Sequence, residues 1–159
     1  MLRENTFEKT DSAMKLGSRN FTREETALLA IAAAMDRKAF RPVLLDLRPQ
    51  GAFTEMFAIV SATNARQVTA IAEGVRLFFK NTFGLNPVAV DGLESQTWVL
   101  IDYGFLFIHV FQEPTRELDQ LEQLWSKGRL IQLNEDAIQA LYVEAKTLAN
   151  PPELESEGE

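Results

Sequence analysis

Two apolar segments, Trp98–Tyr103 and Leu106–Phe111, stand end to end around Gly104, and no other feature constrains the fold as tightly. Apolar runs of this length, broken by a glycine, read as the two arms of a hairpin. Apart from Asp102 and His109, both arms are apolar on both faces. Such strands lie in the middle of a covered sheet, or they show an apolar face to a partner.

The rest of the chain supplies the sheet and its cover. Val43–Leu47 and Met56–Val60 read as buried strands, with Pro49-Gln50-Gly51 as a turn between them. Pro87–Val90 is a short strand that ends at Asp91-Gly92. Thr22-Arg23-Glu24-Glu25 fits a capping box, and Leu28, Ile31 and Met35 follow at helical spacing, ending before Pro42. Asn64 opens a second helix with Gln67 at the capping-box position. Val68, Ile71, Ala72, Val75 and Phe78 form its inner stripe, and Gly84 is placed as a left-handed stop. Pro114 suits a first helical turn, with Leu118, Leu121 and Leu124-Trp125 on one face and Gly128 as the break. Asn134 caps a last amphipathic helix bearing Ile138, Leu141, Tyr142, Ala145 and Leu148.

The link between the first two strands is too short for a helical crossover, so they are expected antiparallel. The second strand, the helix after it and the third strand form a parallel βαβ unit. The expected class is α/β: one mixed five-stranded sheet with helices packed on it and a C-terminal helical extension. Residues 1–20 are polar and aperiodic and read as a flexible arm, docked at most through Phe7, Met14 and Leu16. Residues 21–128 form the folded domain, 129–150 a C-terminal helix, and 151–159 a disordered acidic tail.

The chemistry is bounded by what the 159 residues lack. There is no cysteine, which removes disulfides, thiolate nucleophiles and cysteine-held metals. The single histidine, His109, rules out a two-histidine metal site. Neither GxGxxG nor GxxxxGK[ST] occurs. Asp46, Asp91, Asp102 and Glu55 fall near strand ends and could gather magnesium. No local Asp-x-Asp pair supports that, and turn capping accounts for them. A triad on His109 would draw on Ser61, Ser95 or Thr97, none of them in a GxSxG setting. No catalytic group, metal or cofactor is therefore expected. The net charge of −7 argues against a grip on nucleic-acid phosphates and favours basic proteins, small ligands or neutral surfaces as partners. No apolar run is long enough to span a membrane, and Met1–Asn20 resembles neither a secretory signal nor a transit peptide, so the cytoplasm is the expected compartment.

The aromatics are the remaining candidates. Alternation puts Trp98 on one face with Leu100 and Asp102, and lines up Phe105, Phe107, His109 and Phe111 on one face of the next strand. Aromatics in these positions suit a core, and they equally suit a docking surface.

Several segments, taken together and in order, resemble the ribosomal silencing factors, also called the Iojap family. They are Trp98-Val99-Leu100-Ile101-Asp102-Tyr103-Gly104, His109-Val110-Phe111-Gln112-Glu113, Arg116, and Leu121-Glu122-x-Leu124-Trp125. Thr54-Glu55-x-Phe57-x-Ile59, Arg66-Gln67-Val68, Ile71-Ala72 and Asp91-Gly92 match further upstream, so the resemblance covers roughly residues 22 to 126. It implies a nucleotidyltransferase-like topology without the catalytic residues of those enzymes. It also implies binding to large-subunit ribosomal protein fourteen on the large ribosomal subunit, which blocks subunit joining. By the same resemblance Trp98, Asp102, Tyr103, Glu55, Phe105, Phe107 and His109 meet the partner, with Arg66 and Arg116 as secondary contacts that could equally anchor local salt bridges. Phe105 stands where the family usually has Asp, Glu55 replaces its Asp, and Asp119 stands where Tyr is common. Two rival readings remain: a nucleotidyltransferase-like enzyme, whose Gly-Ser and Asp-x-Asp pieces are missing here, and a homodimeric adaptor using the same apolar face.

Overall fold

In the computed structural model, residues 12–48, 56–118 and 128–151 are described. Thr22 joins two elements at their start. It ends a hairpin of β1 (Ser12–Leu16) and β2 (Arg19–Thr22), and it caps α1 (Arg23–Met35). Both halves of the capping box form: the Glu25 amide donates to Thr22 Oγ1 at 3.0 Å, and the Thr22 amide donates to Glu25 Oε1 at 3.0 Å. The hairpin corrects the expectation of a loose arm over residues 12–20. Phe21 is fully buried, and Met14 and Leu16 pack against the core. Arg19 ties the hairpin to two helices through Glu25 (3.3 Å) and Glu144 (2.7 Å). Residues 1–11, Phe7 among them, and 152–159 of the expected tail lie outside the described residues.

The main sheet contains β3 (Phe40–Asp46), β4 (Met56–Ala62), β5 (Ala89–Asp91), β6 (Trp98–Asp102), β7 (Leu106–Gln112) and β8 (Arg129–Ile131), in the order β5-β6-β7-β4-β3-β8. It has six strands, not five. Three residues are too few to show alternation, so β8 was not visible as a strand in a segment expected to be helical. Its place is fixed from a distance, by pairing with β3 and by Arg129, which donates to Asp46 Oδ2 at 3.0 Å. As expected, β3–β4 and β6–β7 are antiparallel. The expected βαβ unit is more open than a simple one. β5 runs in the direction of β4, but β6 and β7 lie between them, and the parallel neighbour of β4 is β7.

Between β4 and β5, α2 (Ala65–Phe83) starts at Asn64, whose Oδ1 accepts from the Gln67 amide at 2.9 Å. It stops at Gly84 in the left-handed conformation (φ 66°), as the sequence suggests. The whole expected stripe, Val68 to Phe78, is buried. α3 (Glu113–Leu118) follows β7 directly; Leu121, Leu124 and Trp125 lie outside the described residues. α4 (Glu135–Ala149) is capped by Asn134 and buries Ile138, Tyr142 and Ala145 against α1 and α2.

The main core fills one face of the sheet. Leu44, Met56, Ala58, Val60, Val99, Ile101, Leu106, Ile108 and Val110 point to the helices. Each large aliphatic group so buried is worth about 1.5–3 kcal/mol. Of the expected α1 stripe only Ile31 is fully buried, while Leu28 and Met35 are partly buried. Leu29 and the run of alanines Ala27, Ala30, Ala32, Ala33 and Ala34 fill the interior instead, because alanines let neighbours approach on several sides.

Candidate functional site: the aromatic face of the sheet

The other face is assembled by alternation. In β6, Val99 and Ile101 enter the main core, while Trp98, Leu100 and Asp102 point the opposite way and are only partly buried. Register then sets their neighbours. Trp98 pairs with Phe111, Leu100 with His109 and Asp102 with Phe107. On the far side of β7, Phe57 lies beside Phe107 and Ile59 beside His109. The face is graded. Leu45, Ile59 and Phe111 are fully buried towards β3, Phe107 and Leu100 are half-buried, and Trp98 is 37% exposed at the start of β6.

The rings form a continuous stack. Trp98 lies against Phe111 (centroids 4.9 Å, planes 24° apart), and His109 packs against Phe57 at 4.6 Å. Phe57 stacks on Phe107 at 5.7 Å. The Trp98 indole Nε1–H donates to His109 Nδ1 at 3.1 Å. An Nδ1 that accepts is unprotonated, so the neutral ring carries its proton on Nε2. Burial disfavours the charged imidazole and pushes its pKa down from 6.5 to about 4. Nε2 is itself buried and has no hydrogen-bond partner among the described residues.

Two backbone features hold the edge of the face. Gly92 has φ 93°, and a Cβ there would lie 2.0 Å from the Trp98 carbonyl oxygen, so only glycine lets the chain pass the start of β6. Asp102 Oδ1 accepts from the Gly104 amide at 2.7 Å and pins the β6–β7 turn.

Several expected site residues are not on this face. Tyr103 is buried in the main core against Phe79 (4.8 Å), because strict alternation groups it with Val99 and Ile101. Burial raises the pKa of its hydroxyl, which has no partner among the described residues. Phe105 packs against the main core as well, since the bend at Gly104 interrupts the alternation that aligns Phe107, His109 and Phe111. Arg116 is buried and occupied internally. It donates to Ser61 Oγ and to the Arg41 carbonyl, both at 2.7 Å, and so ties α3 to β4. Arg66 is exposed in the first turn of α2, on the helical side of the sheet. Glu55 lies outside the described residues. Phe57 stands in the ring stack and Gly92 against the start of β6, both outside the expected site residues. The signal for Phe57 was its period-two spacing with Ile59; that for Gly92 was its place just ahead of Trp98.

Among the described residues the carboxylates do not converge. Asp46 is buried, which alone would raise its pKa. Arg48 at 2.9 Å and Arg129 at 3.0 Å outweigh that and hold it down at about 2. Asp91 is an exposed strand end. Among the described residues, no group of three or more His, Asp or Glu side chains could hold a metal ion. Ser61 Oγ is engaged by Arg116, and His109 Nδ1 by Trp98. Among the described residues, no helix is long and apolar enough to cross a membrane.

Comparison with known proteins finds relatives of the chain as a whole. The family model "Ribosomal silencing factor during starvation" matches residues 20–156. A ribosomal silencing factor from Halalkalibacterium halodurans is 31% identical over 110 residues, spanning 69% of this chain and 93% of its own length. A crystal structure of a Bacillus halodurans protein aligns with a TM-score of 0.61 at 32% identity, covering 70% of this chain and 100% of that one. A Chromobacterium violaceum protein aligns with a TM-score of 0.61 at 31% identity, over 65% of this chain and 85% of its own.

Proposed function

The chain belongs to the ribosomal silencing factor family, and from that membership we propose that it binds large-subunit ribosomal protein fourteen through the aromatic sheet face and so blocks subunit joining. The family's role is ribosome-associated silencing of translation. The observation that carries the finer reading is Trp98: a half-exposed indole, already stacked and hydrogen-bonded, with Leu100, Phe107 and Asp102 partly exposed beside it. Pre-ordered aromatic anchors with a polar rim are the usual centres of protein interfaces. The net charge of −7 suits a basic ribosomal protein, and it speeds encounter more than it adds affinity.

In this reading Trp98 and Phe107 enter the partner, Asp102 supplies an acidic rim, His109 acts from beneath, and Glu55 remains a further acidic contact proposed from the family resemblance alone. The molecule works by occupying space in the cytoplasm, on a scaffold similar to that of nucleotidyltransferases but used for binding. The test is sedimentation with purified large subunits through a sucrose gradient, followed by a light-scattering assay of subunit joining. Co-migration with large subunits and slowed joining are expected. Failure to co-migrate would overturn the reading, and co-migration with undiminished joining would reject the steric mechanism. Magnesium-dependent nucleotide transfer by the pure protein would restore the enzyme reading. A dimer broken by Trp98→Asp would instead favour the homodimeric adaptor.

A further inference from the structure

We propose that His109 is a positioning residue, whose Nδ1 holds the Trp98 indole in the orientation that the partner meets. The inference rests on the reading that Trp98 faces the ribosomal partner.

Trp98 opens its strand and is the most exposed ring of the face, so its side chain would ordinarily sample several rotamers and give its N–H to water. Instead that N–H turns inward to a buried acceptor 3.1 Å away, while one ring face lies on Phe111. The acceptor cannot follow the indole if it moves. The His109 ring is clamped by Phe57 at 4.6 Å, runs nearly parallel to Phe111 (8°), and sits in register with Leu100 on one side and Ile59 on the other.

The second nitrogen makes the case stronger. Nε2 is buried with no partner among the described residues, so the imidazole is a poor choice if its task were packing alone. A phenylalanine or leucine would fill the same space without stranding a donor. What the imidazole adds is the Nδ1 acceptor, and only the neutral ring offers it; burial keeps the ring neutral. The aromatic anchor and its fixed acceptor thus act as a unit, and removing the acceptor dilutes the competent orientation. Apparent affinity falls in proportion to that population.

The test compares His109→Phe, which removes the acceptor, with His109→Asn, whose side-chain oxygen can replace Nδ1. The free full-length protein is read first, through the indole N–H signal in 1H–15N spectra, assigned by its loss in Trp98→Phe. Binding to large subunits is read second. For His109→Phe the indole signal is expected to move and to exchange faster with water, and affinity is expected to fall about tenfold. His109→Asn is expected to recover most of both, which a purely space-filling histidine would not allow. His109→Leu serves as the acceptor-free variant if phenylalanine disturbs the cooperative melt. An unchanged indole signal in the acceptor-free variant overturns the positioning role. So does parent-like binding by that variant while Trp98→Ala has lost binding. Parent-like binding by Trp98→Ala is a different failure, which overturns the interface reading itself.

Discussion

The two faces of the sheet are made from alternate residues of the same strands, yet they differ in residue type and in cover. The helix-covered face uses Val99, Ile101, Ile108 and Val110, branched aliphatics whose shapes lock against α1 and α2. The opposite face uses Trp98, Phe57, Phe107, Phe111 and His109, flat rings that stack on each other and leave one edge uncovered. A face closed by the chain's own helices is judged by how completely it packs. A partly open face, if it meets another molecule as proposed, needs large anchors that hold their shape while exposed. One residue of displacement along β6 separates the two environments.

Four perturbations separate the faces, in falling order of effect. On the closed face, Ile101→Ala removes a fully buried side chain and is expected to cost about 4 kcal/mol in urea unfolding. Any ribosome binding lost should be explained by the unfolded fraction alone. On the aromatic face, acid is the matching perturbation. The unfolded chain takes up a proton at His109 near pH 6.5, and the folded protein does so only near 4. Stability is therefore whole above pH 6.5 and is lost as pH falls to 4, by about 3 kcal/mol. Asp46, held at about 2, adds its loss only below pH 3.8. Urea midpoints measured across pH 7 to 4 should show the decline, and His109→Phe should flatten it. A flat profile in the parent would mean that the ring is solvated.

At the edge between the faces, Gly92→Ala combines positive φ with overlap on the Trp98 carbonyl and is expected to cost about 2 kcal/mol. Trp98 fluorescence should change in the still-folded fraction, provided Trp125 is replaced by Phe. The smallest effect belongs to Tyr103→Phe. Its hydroxyl has no partner among the described residues, so the melting temperature should hold or rise, within about 1 kcal/mol. A clear loss would show that the hydroxyl is used, and would bring Tyr103 back into consideration for the site.

What could be read from the sequence was what local rules decide. Thr22 with Glu25, Asn64 with Gln67, Asn134, and Gly84 all cap the helices they were expected to cap, because each acts over three or four residues. The β6–β7 hairpin followed from two apolar runs about a glycine. What escaped was decided across the chain. β8 pairs with β3 and its Arg129 reaches Asp46, and the β1–β2 hairpin buries Phe21 while Arg19 reaches Glu144, all contacts between residues far apart in sequence. At the site, family likeness and geometry pulled apart. A motif read in a line treats Trp98, Asp102 and Tyr103 as one group, whereas alternation sends Tyr103 through the sheet to Phe79. Phe105 failed in the opposite way: period two was extended through a bend that breaks it. Arg116 offered no sign of burial, because its acceptors, Ser61 and the Arg41 carbonyl, lie far away in sequence.

The division of labour between the faces stands or falls with Trp98. An anchor seated in a partner's pocket is worth roughly 2–4 kcal/mol on truncation, which is about a thirtyfold to thousandfold loss of affinity. The decisive measurement is therefore a paired one on Trp98→Ala: its thermal melt, and its affinity for purified large subunits. A cooperative melt near the parent's, together with affinity reduced by at least thirtyfold, is the expected result. A melt that collapses while the remaining folded protein binds as the parent does would contradict it, and would make the aromatic face a second core.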